Sequence, residues 1–269
     1  MIPIRDINPT RTTPYVNYAL IAANVLVWLW EYALIQAGAS WVIPGYGMVP
    51  ARLVADPSGE AFTILTSMFM HGGWAHIGFN MLFLYIFGDN IEDAVGHFRY
   101  FLFYLASGLV AALAQMAIDP GSHIPMVGAS GAIAGVLGAY LVLFPRAPVT
   151  VVNPIFPLWF VFGLFLEFPA WLVVGEFFLV NLWGGLSALG GGAGGGGVAF
   201  FAHLGGFITG LVTIRAWMLG RARVEPRRWE GWRPPPRPPR PGGGWGGPGS
   251  RFHEPGQHRD PWLPPDRGN

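Results

Sequence analysis

From Met126 to Phe144 the chain reads MVGASGAIAGVLGAYLVLF, with no charged residue from end to end. An uncharged apolar run of this length reads as a helix inside a membrane. It opens on a glycine-framed serine, Gly128-Ala129-Ser130-Gly131. A hydroxyl in the first turn of a helix sits beside backbone N–H groups that lack an intrahelical partner, at the positive end of the helix dipole. Both features stabilise negative charge developing next to the serine. Serine is equally an ordinary N-cap, and the spacing of Gly131 and Gly135 is an ordinary packing surface between membrane helices. What Ser130 does therefore depends on what the rest of the chain supplies.

The sequence is 52% hydrophobic and 12% charged, where soluble domains carry about 25% charged residues. Mean hydropathy is +0.41 although residues 219–269 are polar, so the body is more apolar than that average. These values exclude a soluble enzyme with a large core and indicate a multi-pass membrane protein. With no Cys in the sequence, disulfides, thiolate metal sites and cysteine nucleophiles are excluded. The basic residues are all Arg. The net charge of +1 says little about partners; the placement of charge relative to the membrane says more.

Residues 1–16 form a short polar segment with Arg5 and Arg11. Residues 17–36 are long enough to span, and two basic residues ahead of them predict a cytoplasmic N-terminus. The AGAS at 37–40 resembles a signal-peptide cleavage site. Against that, the apolar run is long for a signal peptide, and Trp28, Trp30 and Tyr32 read as an interfacial belt on a retained helix. Residues 37–65 form a long loop with apolar patches, placed in the membrane interface. Further spans are expected at 66–88, 99–118 and 128–144, with a polar loop, DNIEDAVGHFR, after the first of these. Residues 149–168 and 170–189 are each apolar enough to cross, and hydropathy alone leaves one crossing or two. A Gly-rich loop at 190–197 leads to the last span, which carries His203 near its start. Residues 219–269, rich in Pro, Gly and Arg, are expected to be a disordered cytoplasmic tail. Their RPPPRPPRP run is a polyproline II segment. It suits an SH3-like partner or anionic lipid, or serves simply to solubilise.

His76 and Asn80, at i and i+4, share one face of the second span. Polar groups inside a span are costly unless paired or hydrated, and so count as functional candidates. Taken singly, His76 and Asn80 read as an interhelical hydrogen-bonding pair, and His203 as an interfacial histidine. As a set with Ser130 they supply a chemistry. A neutral imidazole removes the proton that keeps a serine from attacking. The Asn80 amide, a His76 N–H and the backbone N–H of Ser130 are donors for an oxyanion. Gly131, Gly135 and Gly138 on one span and Gly206 and Gly210 on the other allow the close backbone approach that brings Ser130 and His203 together. No acidic residue is suitably placed as a third member, so a Ser-His dyad is expected.

The three stretches HGGWAHIGFN (His71 to Asn80), GASGAIAG (Gly128 to Gly135) and AHLGGFITG (Ala202 to Gly210) resemble, in order and spacing, the motifs of the rhomboid intramembrane serine proteases. The resemblance covers roughly residues 15–218 and not the tail. It implies an all-α membrane protein, a rhomboid-like six-transmembrane-helix bundle over 17–218. It implies that Ser130 is the nucleophile and His203 its base. His76, Asn80 and Gly128 then line the oxyanion and substrate site, with His71 supporting its outer end. It also implies membrane-protein clients cut near the outer face, small residues before the scissile bond, no metal or cofactor, and no nucleic acid.

A dyad requires Ser130 and His203 at similar depth on two inward-running helices, so one outward crossing separates them. That crossing is expected at about 169–189, with 147–168 along the cytoplasmic interface or re-entrant. Both termini then lie inside a plasma or inner membrane, with the site opening outward. Arg5, Arg11, Arg99, Arg146 and Arg215 are inside and Arg52 is outside. Phe62-Thr63 stands where many family members carry Trp-Arg. Ala134 stands where an aromatic often packs on the catalytic His, so another group must orient His203. Glu176, in the fifth helix, would cost roughly 2.5–3.5 kcal/mol if unpaired there; it is expected to face a watery interior or to be protonated. Two other functions fit less well: an inactive rhomboid-like protein that binds and guides membrane clients, and a small transporter or channel. The presence of both Ser130 and His203 favours the protease. With His203 as base, activity is expected to fall below about pH 6.5.

Overall fold

The computed structural model describes residues 1–153, 155, 157, 159–189 and 199–221. The expected disorder of the tail falls, beyond residue 221, outside the described residues. After a short strand, β1 (Ile2–Asp6), come α1 (Tyr15–Gln36), the short helices α2 (Val42–Tyr46), α3 (Pro50–Ala55) and α4 (Pro57–Ser67), then α5 (Trp74–Val95), α6 (His97–Ile118) and α7 (Ser130–Leu143). Strand β2 (Pro148–Val152), one helical turn α8 (Trp159–Phe162) and strand β3 (Phe165–Pro169) precede α9 (Ala170–Leu189) and α10 (Phe200–Trp217). Among the described residues α1, α6, residues 170–187 of α9, and α10 are long and apolar enough to cross a membrane.

Helix α7 is the centre. It is buried continuously from Gly131 to Tyr140, and α5, α6, α9 and α10 pack around it. At 14 residues it is about 21 Å long, short of the roughly 30 Å hydrocarbon thickness. Its closest neighbour is α10. A Cβ at Gly206 would strike the Gly131 carbonyl, and one at Gly138 would strike that of Phe207.

The second long helix begins at Trp74, eight residues later than the apolar run suggests, and ends at Val95. Residues 57–67 are instead the separate helix α4, started by Pro57 and by the Asp56 carboxylate, which accepts the Gly59 N–H at 2.9 Å. The Gly72-Gly73 pair separates the two. At the far end, the stretch read as a polar loop forms the last turns of α5 and, past Gly96, the start of α6. It stays helical because its acid is used: Glu92 is fully buried and accepts the N–H groups of Val16 at 3.0 Å and Asn17 at 2.6 Å. Those are first-turn donors of α1, which has no side-chain cap of its own.

Residues Pro148–Val152 and Phe165–Pro169 are strands. They form a hairpin that joins β1 in a three-stranded antiparallel sheet of order β1-β2-β3. Ile2 pairs with Val152, and Val149 with Phe168. β-Branched Val149, Thr150 and Val151 bury this central strand. Pro3, with no N–H to give, is tolerated because β1 is an edge. The sheet also answers the question of Glu176: both its oxygens lie 2.7 Å from the Met1 ammonium group. The Glu176 side chain thus has a partner within the fold.

The first loop is anchored without a Trp-Arg pair. Arg52 donates to Glu60 at 2.9 Å and to the Pro44 carbonyl at 2.5 Å. Thr66 donates to the Tyr46 carbonyl at 2.6 Å, and the Phe62 ring meets Tyr46 edge-on.

Candidate active site

The loop before α7 sets Ser130 in place. Met48 and Met126 exchange backbone hydrogen bonds of 3.1 and 2.8 Å, and the Gly128 N–H donates to the Ser67 carbonyl at 2.8 Å. Gly128 has φ +128, and a Cβ there would come within 2.7 Å of His76 Nε2. Only glycine fits both the backbone and the space. Ser130 then opens α7.

His203 lies in the first turn of α10, its N–H bonded to the Ala199 carbonyl at 3.2 Å. The glycine contacts between α7 and α10 carry its ring to Ser130: Nε2 is 2.7 Å from Oγ. The other ring nitrogen, Nδ1, is 2.5 Å from Oδ1 of Asn181 on α9. The Asn181 amide nitrogen donates to the Phe177 carbonyl at 2.8 Å. The Phe177 ring lies beside that of His203, centroids 5.9 Å apart. Among the described residues no carboxylate hydrogen-bonds His203.

His76 and Asn80, one turn apart on α5, face a cavity of about 620 Å³ whose lining includes Ser130, His203, Phe83 and Phe177. The Gly72 N–H donates to His76 Nδ1 at 3.3 Å, which leaves the His76 proton on Nε2, the nitrogen nearer Gly128. Asn80 is 7% exposed, and its amide nitrogen has no partner. A buried donor held without a partner costs about 1–3 kcal/mol, and this one borders the cavity. Gly128 lines it too. His71 does not. It is fully buried behind His76, rings edge to face at 5.1 Å, its Nδ1 3.2 Å from the Phe69 carbonyl and its N–H on Glu31 Oε2 at 3.0 Å. Among the described residues no three His, Asp or Glu side chains are grouped to hold a metal ion.

Five of the six residues singled out from sequence thus border one cavity, and the sixth backs its wall. Sequence reasoning missed Asn181 and Phe177. The signal for Asn181 was present: it is a lone amide in the apolar run FFLVNLWGGL, and a polar group inside a span is a candidate by default. Chemically, the arrangement offers a hydroxyl bonded to an imidazole, with donors on the far side of a space large enough for a peptide.

The Rhomboid domain model matches residues 58–221. The chain is 35% identical to Rhomboid protease GluP of Bacillus subtilis, over 48% of this chain and 24% of that protein. It is 29% identical to Rhomboid protein 1, mitochondrial, of Saccharomyces cerevisiae, over 78% and 55%. To Inactive rhomboid protein 1 of Drosophila melanogaster it is 31% identical, over 36% and 7%. The chain spans less than two thirds of the length of each.

Proposed function

This chain belongs to the rhomboid family, and from that premise we propose that it is an intramembrane serine endopeptidase acting on membrane-protein clients. The observation that carries the reading is the 2.7 Å hydrogen bond between Ser130 Oγ and His203 Nε2. Ser130 attacks the scissile carbonyl while His203 takes its proton. The tetrahedral oxyanion is held by the Ser130 N–H, the Asn80 amide and His76 Nε2–H. His203 then protonates the leaving amine, and water, activated by the same imidazole, hydrolyses the acyl ester. A client helix hydrogen-bonds its own carbonyls, so small or helix-breaking residues near the cut expose the bond.

In this reading α1, α5, α6, α7, α9 and α10 are six crossings within a membrane domain of residues 17–218. Residues 1–16 and the tail from 219 lie on the inner side. Ser130, at the head of a helix too short to reach both faces, sits in a recess opening outward. The tail serves to solubilise, with binding of an SH3-like partner or anionic lipid by its polyproline run as the second reading.

The test is cleavage of a single-span reporter by purified protein in proteoliposomes, compared with Ser130→Ala and His203→Ala. Cleavage by the wild type alone is expected. Folded wild type that cleaves none of several reporters would favour an inactive rhomboid-like protein that binds and guides membrane clients. Cleavage that survives Ser130→Ala would remove the dyad from consideration.

A further inference from the structure

We infer that Asn181 is the positioning residue of this site, holding His203 in the tautomer and orientation that Ser130 requires; the inference rests on the protease reading above. A histidine acts as a base only through the ring nitrogen that carries the lone pair, and the hydrogen bond made by the other nitrogen decides which that is. Asn181 Nδ2 donates to the Phe177 carbonyl one turn back on α9. That bond fixes the sense of the amide, so the atom facing His203 Nδ1 at 2.5 Å is the carbonyl oxygen, which only accepts. Nδ1 therefore carries the proton, and the lone pair is left on Nε2, facing the Ser130 hydroxyl.

The amide takes the place that an aspartate or asparagine takes in hydrolytic triads on unrelated folds. A neutral amide suits this place, because an ionised side chain buried in a span is costly and Asn181 is 7% exposed. Phe177, one turn before Asn181, lies against the ring at a tilt of 44° while Asn181 holds its edge. Together they supply the restraint that Ala134 does not. Asn181 is not part of the cavity lining, so it reaches a client only through His203. The competing role is a plain tie between α9 and α10.

Asn181→Leu separates the two, since it keeps the volume and removes the acceptor. In proteoliposomes, Asn181→Leu and Asn181→Ala are expected to lower kcat by about ten- to a hundredfold and leave KM unchanged. Thermal unfolding of the Leu variant in detergent should stay near wild type. In 15N-histidine NMR spectra the His203 signals, identified by their loss in His203→Ala, should change from the Nδ1–H form to a mixture of tautomers. Wild-type kcat in Asn181→Leu, or an unchanged His203 tautomer, overturns the inference. The spectrum needs no turnover. If the wild type neither cleaves reporters nor is labelled at Ser130 by a fluorophosphonate, the protease reading fails, while the tautomer still decides whether Asn181 sets the ring.

Discussion

Gly210 of α10 lies so close to Gly135 of α7 that a Cβ on the first would strike the carbonyl oxygen of the second. Two turns earlier on the same helix is His203, so this contact sets how far the imidazole stands from Ser130. Gly210→Val should destabilise the protein by ~1–3 kcal/mol, as overpacking does where backbone faces backbone, and should abolish cleavage. Gly78→Ala, where a Cβ meets open space, serves as the comparison and should leave stability unchanged or raise it by up to ~1 kcal/mol. Thermal unfolding in detergent reads both. Equal stability of the two variants would mean that α7 and α10 can separate without cost.

Gly128→Ala addresses the oxyanion side. The new methyl group meets His76 and demands a φ that L-residues rarely adopt. Displacing the His76 ring by about 1 Å is expected to lower kcat on the order of a hundredfold, with the reporter still bound. Steady-state kinetics with wild-type kcat would show that His76 need not stand where it does.

Asp6 gives stability a pH dependence. Burial, with the Asp89 carboxylate nearby, raises its pKa to about 7, although hydrogen bonds from Tyr140 at 2.6 Å and Asn90 at 3.0 Å oppose the shift. The folded state therefore holds this proton more tightly than the unfolded state, whose value is near 3.9. Between those values folding binds a proton, so this group's contribution improves as pH falls from 7 towards 4 and worsens as pH rises. Asp6→Asn removes the dependence. The difference in melting temperature between variant and wild type should be largest above pH 7 and shrink towards pH 4. A constant difference would mean that Asp6 is ionised throughout.

The long helices and the Ser130–His203 pairing were legible because each rests on a local pattern, an apolar run or a motif, that needs no knowledge of its neighbours. What was missed depends on distant partners. The DNIEDAV stretch looks like a loop until Glu92 is seen to receive the N–H groups of Val16 and Asn17. Residues 148–152 are apolar enough for a membrane, and only pairing with residues 2–6 and 165–169 makes them a strand. Asn181 was a visible oddity whose purpose appears when α9 is laid beside α10. No acid stands in the third place because the residue bonded to His203 is an amide.

The sheet also fixes an order of events. Val152, the partner of Ile2, is synthesised only after α1 to α7 have been made. At roughly 5–20 residues per second the first strand waits on the order of ten seconds with its edge unmatched. Strand β1 is thus fixed only after the strand that pairs with it has been made, and closure of the sheet marks the moment at which these two distant stretches are joined.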